Sequence, residues 1–210
     1  MLPPYRPTRA RIAGPFRTGS AAAENALTGQ SRSATVRFMT WTAPEIDRQD
    51  PSGIAGERAM LRHWLDYHRQ TLLHKCAGLT GQQLARRSVA PSSLSLLGLV
   101  RHMTEVERAW FRIRATGADL SYLYCVGDNI DGDFDDVDAA EAAIDFALHR
   151  TELDLCDKAV ADLALDHTFA HPRYGELTLR WVYMHVIEEY ARHNGHADLL
   201  RERIDGTTGD

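Results

Sequence analysis

A glutamate and a histidine near the C-terminus, Glu189 and His193, have the residue types and the spacing of metal ligands. Because they are four residues apart on a predicted helix, their side chains point to the same place. On a helical wheel both lie within about 80° of His185, in the sector that also contains the apolar residue Leu200. A carboxylate in an apolar stripe is costly unless a partner compensates its charge. The pattern therefore indicates that Glu189 has such a partner inside the protein.

A third candidate ligand, His102, has a similar position on an earlier predicted helix. On the wheel it lies within about 80° of Val106, Trp110 and Ile113, so it borders the apolar stripe. When helices pack, their apolar stripes face each other, and metal sites in bundles are built from such facing side chains. Two imidazoles and one carboxylate form a facial ligand set for a divalent metal, with positions left for water or substrate. We therefore interpret His102, Glu189 and His193 as a candidate metal site.

Two simpler interpretations of these residues stay open at this point. His102 would then be a core histidine with a hydrogen-bond partner, and Glu189 and His193 would be an i,i+4 pair at a crowded surface. The sequence has no His-Glu-x-x-His motif, which excludes a zincin type of site. Only one helix offers a Glu–His pair, whereas a di-iron bundle needs such a pair on two helices, so one metal ion is favoured over two.

The remaining histidines are assigned less specific positions. His185 and His196 flank the candidate ligands and could orient them, replace them or lie at the surface, and for His185 the surface is favoured. Six others show no metal-ligand spacing with one another and are expected to be exposed on helices or loops: His63, His68, His74, His149, His167 and His171.

Helical periodicity of the apolar residues predicts the elements that would position these side chains. The segment Pro91-Ser-Ser is predicted to cap the second of four long helices. Four long helices predict an all-α fold, a four-helix bundle. A short helical turn after Thr80, a small hairpin within 166–177 and long helices over residues 56–76, 94–116, 138–163 and 178–204 are expected.

Residues 117–135, here called the acidic loop, connect the second and third long helices. The Asp-rich run from Asp128 to Asp136 resembles a calcium-binding loop, but it lacks the glutamate that such loops carry at their twelfth position. A solvated acidic loop is therefore expected.

Composition argues against several classes of protein. The net charge of −5 over 210 residues does not favour a nucleic-acid-binding protein, which needs a basic surface. No run of 18 apolar residues occurs, so no membrane-spanning helix is expected. The three cysteines, Cys76, Cys125 and Cys156, are widely separated and odd in number. They indicate neither a disulfide framework nor a zinc knuckle, which favours a cytoplasmic location.

The first 38 residues differ from the rest of the chain. They contain six arginines, one acidic residue and four prolines but no sustained apolar periodicity, so a disordered extension is expected. Their composition is similar to that of a transit peptide, although a start of translation at Met39 is the favoured explanation. A single folded domain is then expected over residues 39–208.

Three segments of the sequence resemble the DinB-like superfamily. They are Pro91-Ser-Ser-Leu-Ser-Leu-Leu-Gly-Leu-Val-Arg-His102, Val106-Glu-Arg-Ala-Trp-Phe111 and the segment from His185 to Gly206. Within the superfamily the sequence is similar to the actinobacterial branch classified as a domain of unknown function, DUF664, and to mycothiol-dependent maleylpyruvate isomerases. The resemblance covers about residues 39–208. It implies a four-helix bundle that holds one divalent metal, often zinc or nickel.

Carried over by position, the resemblance implies that His102, Glu189 and His193 are the metal ligands. Glu189 stands where some members of the superfamily have a third histidine, which leaves the preferred metal open. No further residue for catalysis or for binding a thiol emerges from the sequence.

The resemblance also implies an activity, since characterised members are mostly thiol-dependent transferases or isomerases. In these proteins the metal binds the thiol of mycothiol or a related compound, lowers its pKa and presents a thiolate to a small electrophile. A homodimer is a further expectation from the superfamily. The alternative is a non-catalytic bundle, such as a metal-binding or dimerising protein related to stress.

Overall fold

The computed structural model describes residues 40–209, and these residues are mostly helical. The proposed extension, residues 1–38, lies outside the described residues. The helices are α1 (Glu57–Cys76), α2 (Gly81–Leu84), α3 (Leu96–Glu107), α4 (Gly132–Asp135), α5 (Ala142–Val160) and α6 (Leu179–Asp205). The long helices α1, α3, α5 and α6 lie where long helices were predicted, and α2 lies where a short turn was predicted. Helix α4 was not predicted, because it falls within the predicted acidic loop. The helical class predicted from the sequence is confirmed.

Two further elements modify this helical framework. Helix α3 continues without a break as a π-helical segment, Arg108–Arg114. Strands β1 (Thr168–His171) and β2 (Gly175–Thr178) form an antiparallel hairpin with Phe169 opposite Leu177. The hairpin lies where the sequence predicted one, and it leads directly into α6.

Hydroxyl side chains define where the two helices of the candidate site begin. Ser95 Oγ accepts a hydrogen bond from the backbone N–H three residues ahead at 3.1 Å and so caps α3. The predicted cap at Pro91-Ser-Ser is therefore wrong, because Ser95 is the hydroxyl residue that directly precedes the apolar run. Thr178 Oγ1 accepts from Trp181 N at 3.2 Å and caps α6. Gly206 follows the last residue of α6 and caps the helix with a φ of 82°, a conformation that favours glycine.

Helix α6 packs along α1 and α3, and α3 also packs along α5. Fully buried apolar residues fill these contacts, among them Leu99 and Met103 of α3 and Val186 of α6. Burial of one such side chain contributes about 1.5–3 kcal/mol. The predicted stripes of α3 and α6 thus face each other, and residues at their edges come within reach. None of the helices in residues 40–209 combines the length and the apolar character needed to span a membrane.

A buried ion pair that sequence analysis did not identify joins three of the long helices. Arg69 of α1 donates two hydrogen bonds of 2.7 Å to the two carboxylate oxygens of Glu107, which is fully buried at the end of α3. The same guanidinium donates to Asp66 at 2.9 Å and to Asp157 of α5 at 3.1 Å. Burial raises the pKa of Glu107, although Arg69 opposes that shift. Removing Arg69 would leave the charge of Glu107 buried without compensation.

The acidic loop is solvated only in part, because α3 binds several of its backbone groups although most of its aspartates are exposed. Arg101 of α3 donates a hydrogen bond of 2.8 Å to the carbonyl oxygen of Gly132. Glu105 Oε1, one turn further along α3, accepts hydrogen bonds from the three consecutive backbone amides of residues 123–125. Asp133 is only 4% exposed. The expectation holds for the exposed part of the loop and fails at Asp133, because composition gave no information on the partners that α3 supplies.

Most of the six histidines expected to be exposed are not. His63 is exposed, whereas His149 is fully buried and the other four are half-buried. Thr104 donates its hydroxyl hydrogen to the carbonyl oxygen of Val100, so Thr104 Oγ1 accepts from His149 Nδ1 at 2.9 Å. His149 Nε2 has no partner within the described part of the chain. Burial lowers the pKa of His149 to about 3.

The buried, neutral His149 predicts a loss of stability in mild acid. Since its pKa is about 3 in the folded protein and about 6.5 when unfolded, the unfolded chain binds the extra proton below pH 6.5. The free energy of unfolding should therefore fall by about 1.4 kcal/mol more between pH 7.5 and 5.5 than in His149→Gln. Urea unfolding at the two pH values measures this difference. His63→Gln, a change at an exposed position, should keep the wild-type dependence, and an unchanged dependence in His149→Gln would contradict the assignment.

Candidate metal centre

The three candidate ligands, which are far apart in sequence, lie together between α3 and α6. The potential ligand atoms of His102, Glu189 and His193 all lie within 4.8 Å of one another. His193 Nε2 is 3.6 Å from Glu189 Oε2, and the rings of His102 and His193 have their centroids 4.7 Å apart. All three residues are half-buried. The arrangement gathers two imidazole nitrogens and a carboxylate at one point of the helix interface.

The distances suit a small divalent cation. Zinc bonds to histidine and carboxylate ligands are about 2.0–2.2 Å long, so the ligand atoms of a tetrahedral site are about 3.4 Å apart. The 3.6 Å between Glu189 and His193 is close to this value. The other ligand atoms of the set lie within 4.8 Å of one another.

The orientation of His102 is fixed by Asp133, a residue that sequence analysis missed. Asp133 Oδ2 accepts a hydrogen bond of 2.8 Å from His102 Nδ1, and Phe134 stacks on the imidazole with ring centroids 4.9 Å apart. The proton on Nδ1 leaves Nε2 of His102 as the free nitrogen. Histidine ligands of metals commonly donate their second N–H to a carboxylate in this way. The only sequence signal was the acidic loop itself, within which no single aspartate stood out.

His196 is the corresponding partner of His193. The Nδ1 atoms of the two rings are 3.3 Å apart, so one of them carries a hydrogen and the other accepts it. If His193 uses Nε2 on the side of Glu189, its Nδ1–H donates to His196. Of the roles left open for His196, contact with a candidate ligand is the one that the geometry supports.

His185, for which a surface position was favoured, is only partly exposed. Its ring stacks on Trp181 with centroids 4.8 Å apart and meets the edge of Trp110 at 4.6 Å. The two tryptophans cover it because Trp181 lies one turn earlier on α6 and Trp110 projects from the π-helical segment. His185 Nε2 is also 3.8 Å from Glu189 Oε1.

A second group of potential ligands shares Glu189. The ligand atoms of His185, Glu188 and Glu189 also lie within 4.8 Å of one another. Glu188, however, is exposed and forms an ion pair with Arg192. All three residues belong to one helix, whereas metal sites in helical bundles draw ligands from facing helices. The group that includes His102 is therefore the better candidate.

The ionisation states of the candidate ligands favour a cation. Contact with His193 lowers the pKa of Glu189, and burial lowers the pKa of His193 even though Glu189 opposes that shift. At neutral pH Glu189 is thus a carboxylate and His193 a neutral imidazole. These are the protonation states that bind metals.

A cavity of about 390 Å³ opens beside His102. Its volume falls in the range of small-molecule sites, and its walls are mainly apolar with a few polar groups. Of the three candidate ligands, His102 is the one that lines this cavity, together with its partner Asp133. A small molecule in this cavity would therefore lie next to His102.

The Asp133 contact predicts an unusual tautomer of His102. The proton should be on Nδ1, because a carboxylate accepts and cannot donate, whereas a free neutral histidine favours the Nε2–H form. Nitrogen-15 chemical shifts of the histidine side chains at pH 7.5 measure this directly. Asp133→Asn should shift His102 toward the Nε2–H form and leave the exposed His63 unchanged. An Nε2–H tautomer in the wild-type protein would contradict the described hydrogen bond.

Comparison with known proteins gives a family. The family model described as mycothiol-S-transferase matches residues 60–206, which is more than half of the chain and includes all three candidate ligands. No curated protein and no solved structure matches the chain. With this match, the chain belongs to the mycothiol-S-transferase family, a DinB-like family of thiol S-transferases.

Proposed function

We propose that this protein is a metal-dependent S-transferase that uses mycothiol and binds one divalent ion, zinc or nickel, through His102, Glu189 and His193. The observation that carries the proposal is the convergence of these three side chains beside a ligand-sized cavity. Membership in the mycothiol-S-transferase family supplies the class of reaction. The second substrate is a small electrophile.

The bound metal ion would supply one piece of chemistry, which is to lower the pKa of the thiol that it binds so that a thiolate is available at neutral pH. Glu189 contributes the single negative charge among the protein ligands. Asp133 holds His102 with Nε2 facing away from the hydrogen bond and raises the basicity of that ring. His196 does the same for His193 by contact with its Nδ1.

The surroundings of the site would exclude water and orient the electrophile. Phe134 covers one face of His102, and Trp110 forms part of the cavity wall. A shaped cavity beside a thiolate increases the effective concentration of a bound electrophile. The protein then acts by positioning two reactants and stabilising a thiolate.

The proposal includes the remaining expectations from the sequence. The four long helices α1, α3 with its π-helical continuation, α5 and α6 would form the DinB type of four-helix bundle. The three cysteines are unpaired, which is consistent with a cytoplasmic protein. A homodimer stays part of the proposal, and no nucleic acid or membrane is among the proposed partners.

Metal binding and catalysis should be lost together when a ligand is changed. Glu189→Gln removes the anionic ligand and should weaken Zn²⁺ binding by at least about 100-fold, since even changes to residues that orient ligands cost 10–100-fold. Asp133→Asn should weaken Zn²⁺ binding by about 10–100-fold, because Asp133 orients the ligand His102. Calorimetric titration with Zn²⁺ and fluorescence of the mycothiol–monochlorobimane conjugate measure the two properties.

Glu188→Gln is the matched control, because Glu188 is the exposed neighbour of Glu189 on the same helix. Glu188→Gln should change neither Zn²⁺ binding nor conjugation. A loss of metal binding in this variant would indicate that the metal is bound by His185, Glu188 and Glu189 instead. Stoichiometric metal binding without conjugation of any electrophile would favour the non-catalytic alternative. Absence of metal binding in the wild-type protein would overturn the proposal.

A further inference from the structure

The cavity beside His102 combines apolar walls with carboxylates and contains no basic side chain other than His102. Its apolar lining is formed mainly by Val106, Trp110, Tyr122, Ile130 and Phe134. Three acidic residues complete the walls: Glu105, Asp131 and Asp133. No lysine or arginine lines it in the described part of the chain. The cavity therefore presents one sign of charge to a ligand.

Glu105 contributes a carboxylate oxygen that the protein leaves without a partner. The residue is only 5% exposed, and its Oε1 accepts the three amide hydrogen bonds from the acidic loop. Its Oε2 is buried and has no hydrogen-bond partner within the described residues. A buried acceptor without a donor is costly. A positive charge on a ligand in the cavity would lower that cost through its field, and an anion would increase it.

The arginine closest to these carboxylates along α3 is committed elsewhere. Arg101 donates to the carbonyl oxygen of Gly132, its guanidinium lies 4.2 Å from the ring centroid of Tyr124, and Nη1 is 3.7 Å from Asp145. Arg101 does not line the cavity. It therefore holds the acidic loop in place from outside the cavity and presents no positive charge to a ligand inside it.

We infer that this cavity selects the electrophile by charge, accepting uncharged or cationic apolar molecules and rejecting anionic ones. The inference rests on the proposed function. With a divalent ion bound, the charges of Glu189 and of the thiolate balance it, so Glu105, Asp131 and Asp133 still set the sign of the field in the cavity. Trp110, Tyr122 and Phe134 add aromatic faces that attract apolar groups and cations.

A matched series of electrophiles tests the inference. Benzyl chlorides with a sulfonate, a methyl or a trimethylammoniomethyl group in the para position differ in charge. In each reaction the thiolate sulfur forms a bond to the benzylic carbon, chloride leaves with the electron pair of the broken C–Cl bond, and the thiol proton passes to buffer. The rate with zinc-loaded protein and mycothiol is divided by the rate without protein to remove intrinsic reactivity.

After this correction, kcat/KM for the sulfonate should be at least about tenfold below that for the methyl compound, since several carboxylates repel it at short range. The trimethylammonium compound should equal or exceed the methyl compound. Asp131→Asn should reduce the ratio of kcat/KM between the methyl and the sulfonate compounds by about threefold. High salt should reduce the same ratio by screening the carboxylates. Glu202→Gln, at an exposed position near the end of α6, should leave it unchanged.

Binding of unreactive analogues gives a second readout that does not depend on catalysis. Ligand-observed NMR compares 4-methylbenzenesulfonate with 4-methylbenzyltrimethylammonium on the zinc-loaded protein, and the cation should bind more tightly. Equal binding together with equal corrected rates would overturn the charge selection and leave the transferase proposal standing. If no electrophile is conjugated, the transferase proposal fails, and the binding comparison alone then upholds or overturns the selection by charge.

Discussion

The hydrogen bond between His102 and Asp133 is the constraint on which the candidate site depends. It fixes which nitrogen of His102 is free, and it ties α3 to the acidic loop at the point where the cavity opens. Arg101 and Glu105 anchor the same loop from the same stretch of α3. About one and a half turns of α3 thus supply a candidate ligand, part of the cavity wall and the groups that anchor the loop carrying Asp133. Ligand orientation and cavity shape are therefore coupled.

A second constraint is the burial of charge between helices. Glu107 and Arg69 are buried as a bidentate pair in the middle of the helical framework, and Glu189 is half-buried between two imidazoles. The Arg69 pair is fully compensated by charges within the protein. The groups that contact Glu189 are histidines whose pKa values burial lowers, so they do not balance its charge at neutral pH. That difference is why the second cluster, and not the first, is suited to receive a cation.

The sequence predicted the features that follow from helical periodicity, and it did not predict those that depend on contacts between distant parts of the chain. Helix bounds and the convergence of His102, Glu189 and His193 follow from a period of 3.6 residues, since facing stripes bring their edge residues together. Asp133 could not be predicted, because the acidic loop takes its shape from partners on α3. The positions of His149 and His185 were missed for a related reason. His149 is bonded to Thr104 of another helix, and His185 is covered by two tryptophans.

The central claim is that one divalent ion is held by His102, Glu189 and His193. Anomalous diffraction from crystals of the zinc-loaded protein, measured on both sides of the zinc absorption edge, tests it most directly. The account predicts a single anomalous peak at bonding distance, about 2.0–2.2 Å, from one atom of each of these three side chains. A peak bound by His185, Glu188 and Glu189, or no ordered peak at either group, would contradict it.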